Sequence, residues 1–250
     1  MTKAFPRNAI LAILLLASRG AGAQDLAAWI PSTRRAANPL IGEVLVASPL
    51  EQRVRAAQAL GLREDPYVVD LIGLLVGCLE GSARHEDELV LRVLLASVFP
   101  RSLAPGELQR RIEVNMPAME LLAGGLDGYG LGLARETYRL LSAGANARFA
   151  GALAAEGRRL GAALGEREGR SDVEQADRLV AYLEAAGNSG DPALAGNVVS
   201  ILETTRTPEV GRAARRVLGL LLPASRGAPP GTGREASDRL RTGAENPAGW

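Results

Sequence analysis

The densest polar cluster in the chain, His85-Glu86-Asp87-Glu88, contains its only histidine, so a metal centre or a histidine-based catalytic centre would have to be built there. A zinc-protease helix needs a second His one turn further on, so that both imidazoles reach one ion. Position 89 is Leu. A serine hydrolase needs a base beside its nucleophile, and no G-x-S-x-G elbow accompanies His85. Cys78 is the sole cysteine and lies inside an apolar run, where a small buried hydrophobe is expected. It cannot form an internal disulfide, and as a nucleophile it would depend on the same His85. A carboxylate-only glycosidase needs just two acids, but such sites stack sugars on aromatic rings, and only 4% of this chain is aromatic. Gly124-Gly125-Leu126-Asp127-Gly128-Tyr129-Gly130-Leu131-Gly132 has the glycines of a phosphate loop without the Lys-Ser/Thr ending or a preceding strand. It is expected to be a flexible connection. Acidic residues 86–88 equally suit the positive end of a helix running to Phe99. The residues therefore assign no catalytic, cofactor-binding or metal role, and no cofactor is expected.

The elements that would position such groups are helices. Leu, Ala, Arg and Glu dominate, and alternation of the β type is almost absent. The β-branched clusters Val44-Leu45-Val46 and Val68-Val69 each lie within a run of helical length. Ser171-Asp172-Val173-Glu174 reads as a capping box, opening a helix with Val173, Ala176, Leu179, Val180 and Leu183 at helical spacing and stopping at Gly187. Asp191-Pro192 and Thr207-Pro208-Glu209 each put a capping side chain before a proline at the first helical position. The helices they open, 192–204 and 208–222, should pack antiparallel across a short turn. In 145–164, Gly151, Gly157 and Gly161 interrupt a helical pattern, and close packing is the expected compensation.

Residues Thr207 to Gly219, with Pro208-Glu209-Val210, small residues at Ala213 and Ala214, and Val217-Leu218-Gly219, resemble the second helix of a HEAT or HEAT-like repeat. Residues 49–61 are similar to it more loosely, through Arg53, Ala56, Ala57, Leu60 and Gly61, after a possible first helix at 39–48. A third pair would join 66–79 to 87–99, and the separation of the second helices suits a paired-helix repeat. Gly211 departs from the pattern where the family often has an Arg laddering between repeats, and Gln52 where it often has Val. The resemblance implies an all-α fold, a short right-handed α-solenoid of antiparallel helix pairs. The alternative is an irregular helical bundle. Residues 105–170 keep helices without a traceable register.

The two ends read differently from the middle. Lys3 and Arg7, an apolar run at 9–17, and Ala21 and Ala23 at the minus-three and minus-one positions read as a signal peptide over residues 1–23, expected to be cleaved after Ala23. The run is too short to anchor the chain in a bilayer. At the other end, residues 223–250 are rich in Pro, Gly, Ser and charge and are expected to be a disordered tail. The helical repeat domain would then span 24–222. Of the 29 basic residues, Lys3, Arg7 and Arg19 belong to the signal segment, which leaves the remainder slightly acidic against 28 Asp and Glu. That balance excludes the basic footprint of a nucleic-acid binder. The expected function is an exported, non-enzymatic scaffold or adaptor in the periplasm or envelope. Its partner would be another protein or peptide, with no nucleic acid and no transmembrane segment. The alternative is an exported enzyme whose carboxylate-based site the sequence does not reveal.

Overall fold

Eleven α-helices make up the described part of a computed structural model, which covers residues 39–46, 49–62, 68–79, 84–143 and 147–222. The expected signal segment and the expected tail lie outside these residues. The helices are α1 (Pro39–Val46), α2 (Leu50–Leu62), α3 (Val68–Cys78), α4 (Arg84–Val98), α5 (Pro105–Val114) and α6 (Met116–Gly124). They continue with α7 (Leu131–Ala143), α8 (Ala147–Glu166), α9 (Val173–Ser189), α10 (Ala195–Thr204) and α11 (Pro208–Leu221). Single 3₁₀ turns at Leu126–Gly128 and Pro192–Leu194 precede α7 and α10. The fold is all-α, with no strand among the described residues.

The stripes that drive packing follow the helical period. In α2, Arg53, Ala56, Ala57, Leu60 and Gly61 are buried, at three- and four-residue steps along one face. In α8 the buried stripe is Phe149, Leu153, Glu156, Gly157, Leu160 and Leu164, and in α11 it is Val210, Gly211, Ala213, Ala214, Val217 and Leu221. Small residues bring backbones together. A β-carbon on Gly61 would overlap Ser97 of α4, and one on Gly157 would overlap the Tyr182 hydroxyl of α9.

Contacts order the helices into two rows. In one, α2, α4, α7, α9 and α11 each pack on the next; in the other, α3, α6, α8 and α10 do the same. Across the rows α1 meets α2, α3 meets α4, α6 meets α7, α8 meets α9, and α10 meets α11. Helix α5 stands outside these pairs, against α6 and α7. It explains why 105–170 showed no steady register: one extra helix is inserted before α6.

Several local expectations need correction. The N-cap of α9 is Asp172, whose side chain accepts from the Gln175 amide at 2.8 Å. Ser171 instead pairs its hydroxyl with that of Thr207 at 2.6 Å, tying the start of α9 to the start of α11. Val173 is 82% exposed, so the apolar stripe begins one turn later than its spacing implied. Helix α9 runs through Gly187, which packs near Val217 and Leu220, and ends at Ser189 with Gly190 in the left-handed conformation. Asp191 caps as expected, by accepting from the Ala193 amide, but it caps a 3₁₀ turn ahead of α10. Thr207 occupies the N-cap position of α11 without a side-chain cap. Leu218, which its three- and four-residue spacing from Ala214 and Leu221 places on the apolar stripe of α11, is only partly buried, at the edge of that stripe.

Candidate functional site

The polar cluster around His85 is taken apart by the fold. His85 is exposed in the first turn of α4, whereas Asp87 is buried and accepts from Arg53 of α2 at 2.5 Å. Arg53 also donates to the Val44 carbonyl at 2.8 Å and lies 3.8 Å from Glu86. Glu88 turns the other way and accepts from the Gly130 amide at 3.1 Å. Glu86 and Asp87 thus face Arg53, and Glu88 serves a separate contact. Among the described residues, no three His, Cys, Asp or Glu side chains are grouped to hold a metal ion. Cys78 ends α3, and its side chain is outside what is described.

The glycine-rich stretch is held in place and is not a loose connection. Its amide at Gly130 is bound by Glu88, and the carbonyls of Leu126 and Tyr129 accept from Arg178 of α9, the latter at 2.6 Å. Arg178 continues to Glu156 of α8 at 3.1 Å. Glu156, with 2% of its side chain exposed, also accepts from the Tyr138 hydroxyl at 2.5 Å and from Arg159 at 2.7 and 2.8 Å. Three helices meet at this carboxylate, α7, α8 and α9, and Arg178 extends the network to the turn before α7. Burial works against its ionisation, but the hydrogen bonds from Arg159 and Tyr138 and the charges of Arg159 and Arg178 outweigh it and hold the carboxyl below its ordinary range. Burial, together with the Glu156 charge, pushes the Tyr138 phenol well above its usual value.

On one side of this network, between α6 and α8, a cleft of about 550 Å³ opens. Ala123, Leu126, Phe149, Ala152 and Ala155 form its apolar walls; Glu120, Asp127, Glu156 and Arg159 supply its charge. Among the described residues, Glu120, Asp127 and Glu156 share this cleft, so it could host a paired-carboxylate reaction. Glu156 is poorly suited to be the general acid of such a pair, because that role needs a proton near neutrality and Tyr138, Arg159 and Arg178 hold this group ionised.

Another concavity, of about 610 Å³, lies over α7 and α9. Arg101, Arg135 and Arg139 line it with Ser142, Glu184 and Asn188, over a floor of Val180, Ala181 and Ala185. The three arginines differ in how they are held. Arg139 donates to the Phe99 carbonyl at 2.6 Å and to Glu136 at 2.5 Å, so it is part of the framework. Arg135 lies 3.5 Å from the half-exposed Asp177, and Arg101 only within 4.0 Å of Glu136. Glu184, the acid of the lining, is drawn to Arg216 of α11 at 3.4 Å.

No family model, curated protein or solved structure matches this chain. Its reading therefore rests on its own geometry. The sequence missed Glu156, Arg178 and the groove arginines, although one signal was present. Glu156 falls on the stripe of Leu153, Leu160 and Leu164, and Arg53 on that of Ala56, Ala57 and Leu60, and a charge on an apolar stripe has to find an interior partner.

Proposed function

We propose that the chain is an exported, non-enzymatic helical-repeat scaffold, a short HEAT-like α-solenoid that holds another polypeptide on the face formed by its second helices. The observation that carries this reading is the order of packing: α2, α4, α7, α9 and α11 lie side by side in chain order, each backed by its own partner helix. Stacked pairs of this kind present extended surfaces to other chains. Interior arginines that join successive pairs as far as α9 support the same reading. Arg53 reaches from α2 to Asp87 of α4, Arg139 from α7 to the end of α4, and Arg178 from α9 to the turn before α7. Gly211 leaves α11 without the laddering Arg that the HEAT resemblance would put there.

The enzymatic alternative draws less support. The cleft between α6 and α8 is the place for a carboxylate pair, and its most buried acid is already committed to Tyr138, Arg159 and Arg178. Affinity purification of the tagged chain from its source cell tests the two readings together. A scaffold should bring down one defined polypeptide at constant stoichiometry. Hydrolysis of a broad substrate panel, abolished by Asp127→Asn or Glu156→Gln with the fold intact, would replace the scaffold by an enzyme.

A further inference from the structure

Resting on the scaffold reading, we infer that the groove over α7 and α9 is the docking site, and that its occupant is an acidic segment of another polypeptide, with apolar side chains interleaved among its carboxylates. The charge of the groove points to this partner. Its lining holds three arginines against one acid, Glu184, which makes its own surface pair with Arg216 of α11 at 3.4 Å. Arg139 is spent on the Phe99 carbonyl and Glu136, so recognition falls to the other two. Arg101 is 82% exposed, with its nearest acid oxygen at 4.0 Å. Arg135 is 48% exposed, and its 3.5 Å approach to Asp177 is a loose surface pair. A guanidinium in that position can exchange a distant carboxylate for a bidentate one brought by the partner.

The floor gives the second half of the specificity. Val180, Ala181 and Ala185 are small and apolar, at helical spacing along α9, and Asn188 closes the same face with a donor and an acceptor. A purely acidic chain would leave that floor unused, whereas carboxylates alternating with leucine-sized groups satisfy both. The chain's own C-terminal segment is a poor occupant, since Arg226, Arg234, Arg239 and Arg241 outnumber Glu235, Asp238 and Glu245. The cleft between α6 and α8 has acids in the majority and would repel the same ligand.

The test uses the full chain and a short fluorescein-labelled peptide alternating Glu and Leu, with the Lys-Leu counterpart as control, read by fluorescence anisotropy. The acidic peptide should bind and weaken as salt is raised, and the basic one should not bind. Reversal of both exposed arginines, Arg101→Glu with Arg135→Glu, should weaken binding about tenfold or more while the far-UV circular dichroism melt stays in place. Arg55→Glu, an exposed charge on α2 that does not line the groove, should leave binding unchanged. Equal binding of the Lys-Leu peptide, or undiminished binding by the double reversal, overturns the inference. The scaffold reading falls separately: if a polypeptide brought down from the source cell is retained by the double-reversal variant, the site is wrong and the scaffold stands. If neither the acidic peptide nor any cellular polypeptide binds, both fail.

Discussion

Replacing Glu156 by Gln preserves the size of the side chain and removes the charge on which three helices converge. Every group facing that position is a donor: the Tyr138 hydroxyl at 2.5 Å, Arg159 at 2.7 and 2.8 Å, and Arg178 at 3.1 Å. The Gln amide would turn its own donor toward one of them. Removing one partner of a buried ion pair costs about 3–5 kcal/mol. The lower end applies here, because Arg178 keeps the Leu126 and Tyr129 carbonyls and Arg159 is 40% exposed to water. A loss of about 3 kcal/mol, at a urea m-value of about 2 kcal/mol/M, lowers the unfolding midpoint by about 1.5 M. Far-UV circular dichroism in urea measures it. Tyr138→Phe in the same background should couple to Glu156→Gln by about 1 kcal/mol. Arg212→Ala, which breaks an exposed pair with Glu209, should cost less than about 0.5 kcal/mol. A Glu156→Gln loss below about 1 kcal/mol would refute the reasoning, since it would mean that water already serves this carboxylate.

The same group sets an acid limit. Its folded-state pKa lies below the ordinary 4.5, so its contribution is complete above that value and is lost as pH falls through the lower folded-state value. Urea midpoints taken between about pH 6 and pH 3 should fall more steeply for the parent chain than for Glu156→Gln. Gly169→Ala should destabilise by more than about 1 kcal/mol in thermal melts, because Gly169 has φ +78° and an added methyl would overlap the Thr204 carbonyl. Gly190→Ala meets nothing within 4 Å and carries only the left-handed backbone cost, about 1 kcal/mol. Leu221→Ala should cost about 2–5 kcal/mol and Leu218→Ala distinctly less, because the first is buried and the second sits at the edge of the stripe. Equal losses at both would remove the face assignment of α11.

What could be read from the chain was local. Helix class followed from composition and period, and the punctuation at Asp191-Pro192 and Thr207-Pro208 fell at real helix starts, whereas the stop read at Gly187 came two residues before the end of α9 at Ser189. Asp172 displaced Ser171 as a cap because Ser171 had a distant partner, Thr207, that no local pattern contains. The groove and the buried network are long-range in the same sense. Arg178 is joined to residues 126, 129 and 156. Along the chain it looks like any arginine of a polar helix face. Arg101 and Arg135 come from different segments, and only the packing of α4, α7 and α9 brings them over one floor. The glycines of 124–132 looked loose for a related reason, since the side chains that hold them, Glu88 and Arg178, lie far away in sequence.

The arrangement of pairs is tested most directly by hydrogen exchange on the Leu221→Ala chain, followed by mass spectrometry with peptides from every helix. In a stacked array each pair meets chiefly its neighbours, so damage at α11 should spread by proximity. Protection should fall most in α10 and α11, less in α8 and α9, and least in α1 to α4. Uniform loss of protection from residue 39 to residue 222 would mean one cooperative bundle, and would contradict the repeat array on which the scaffold rests.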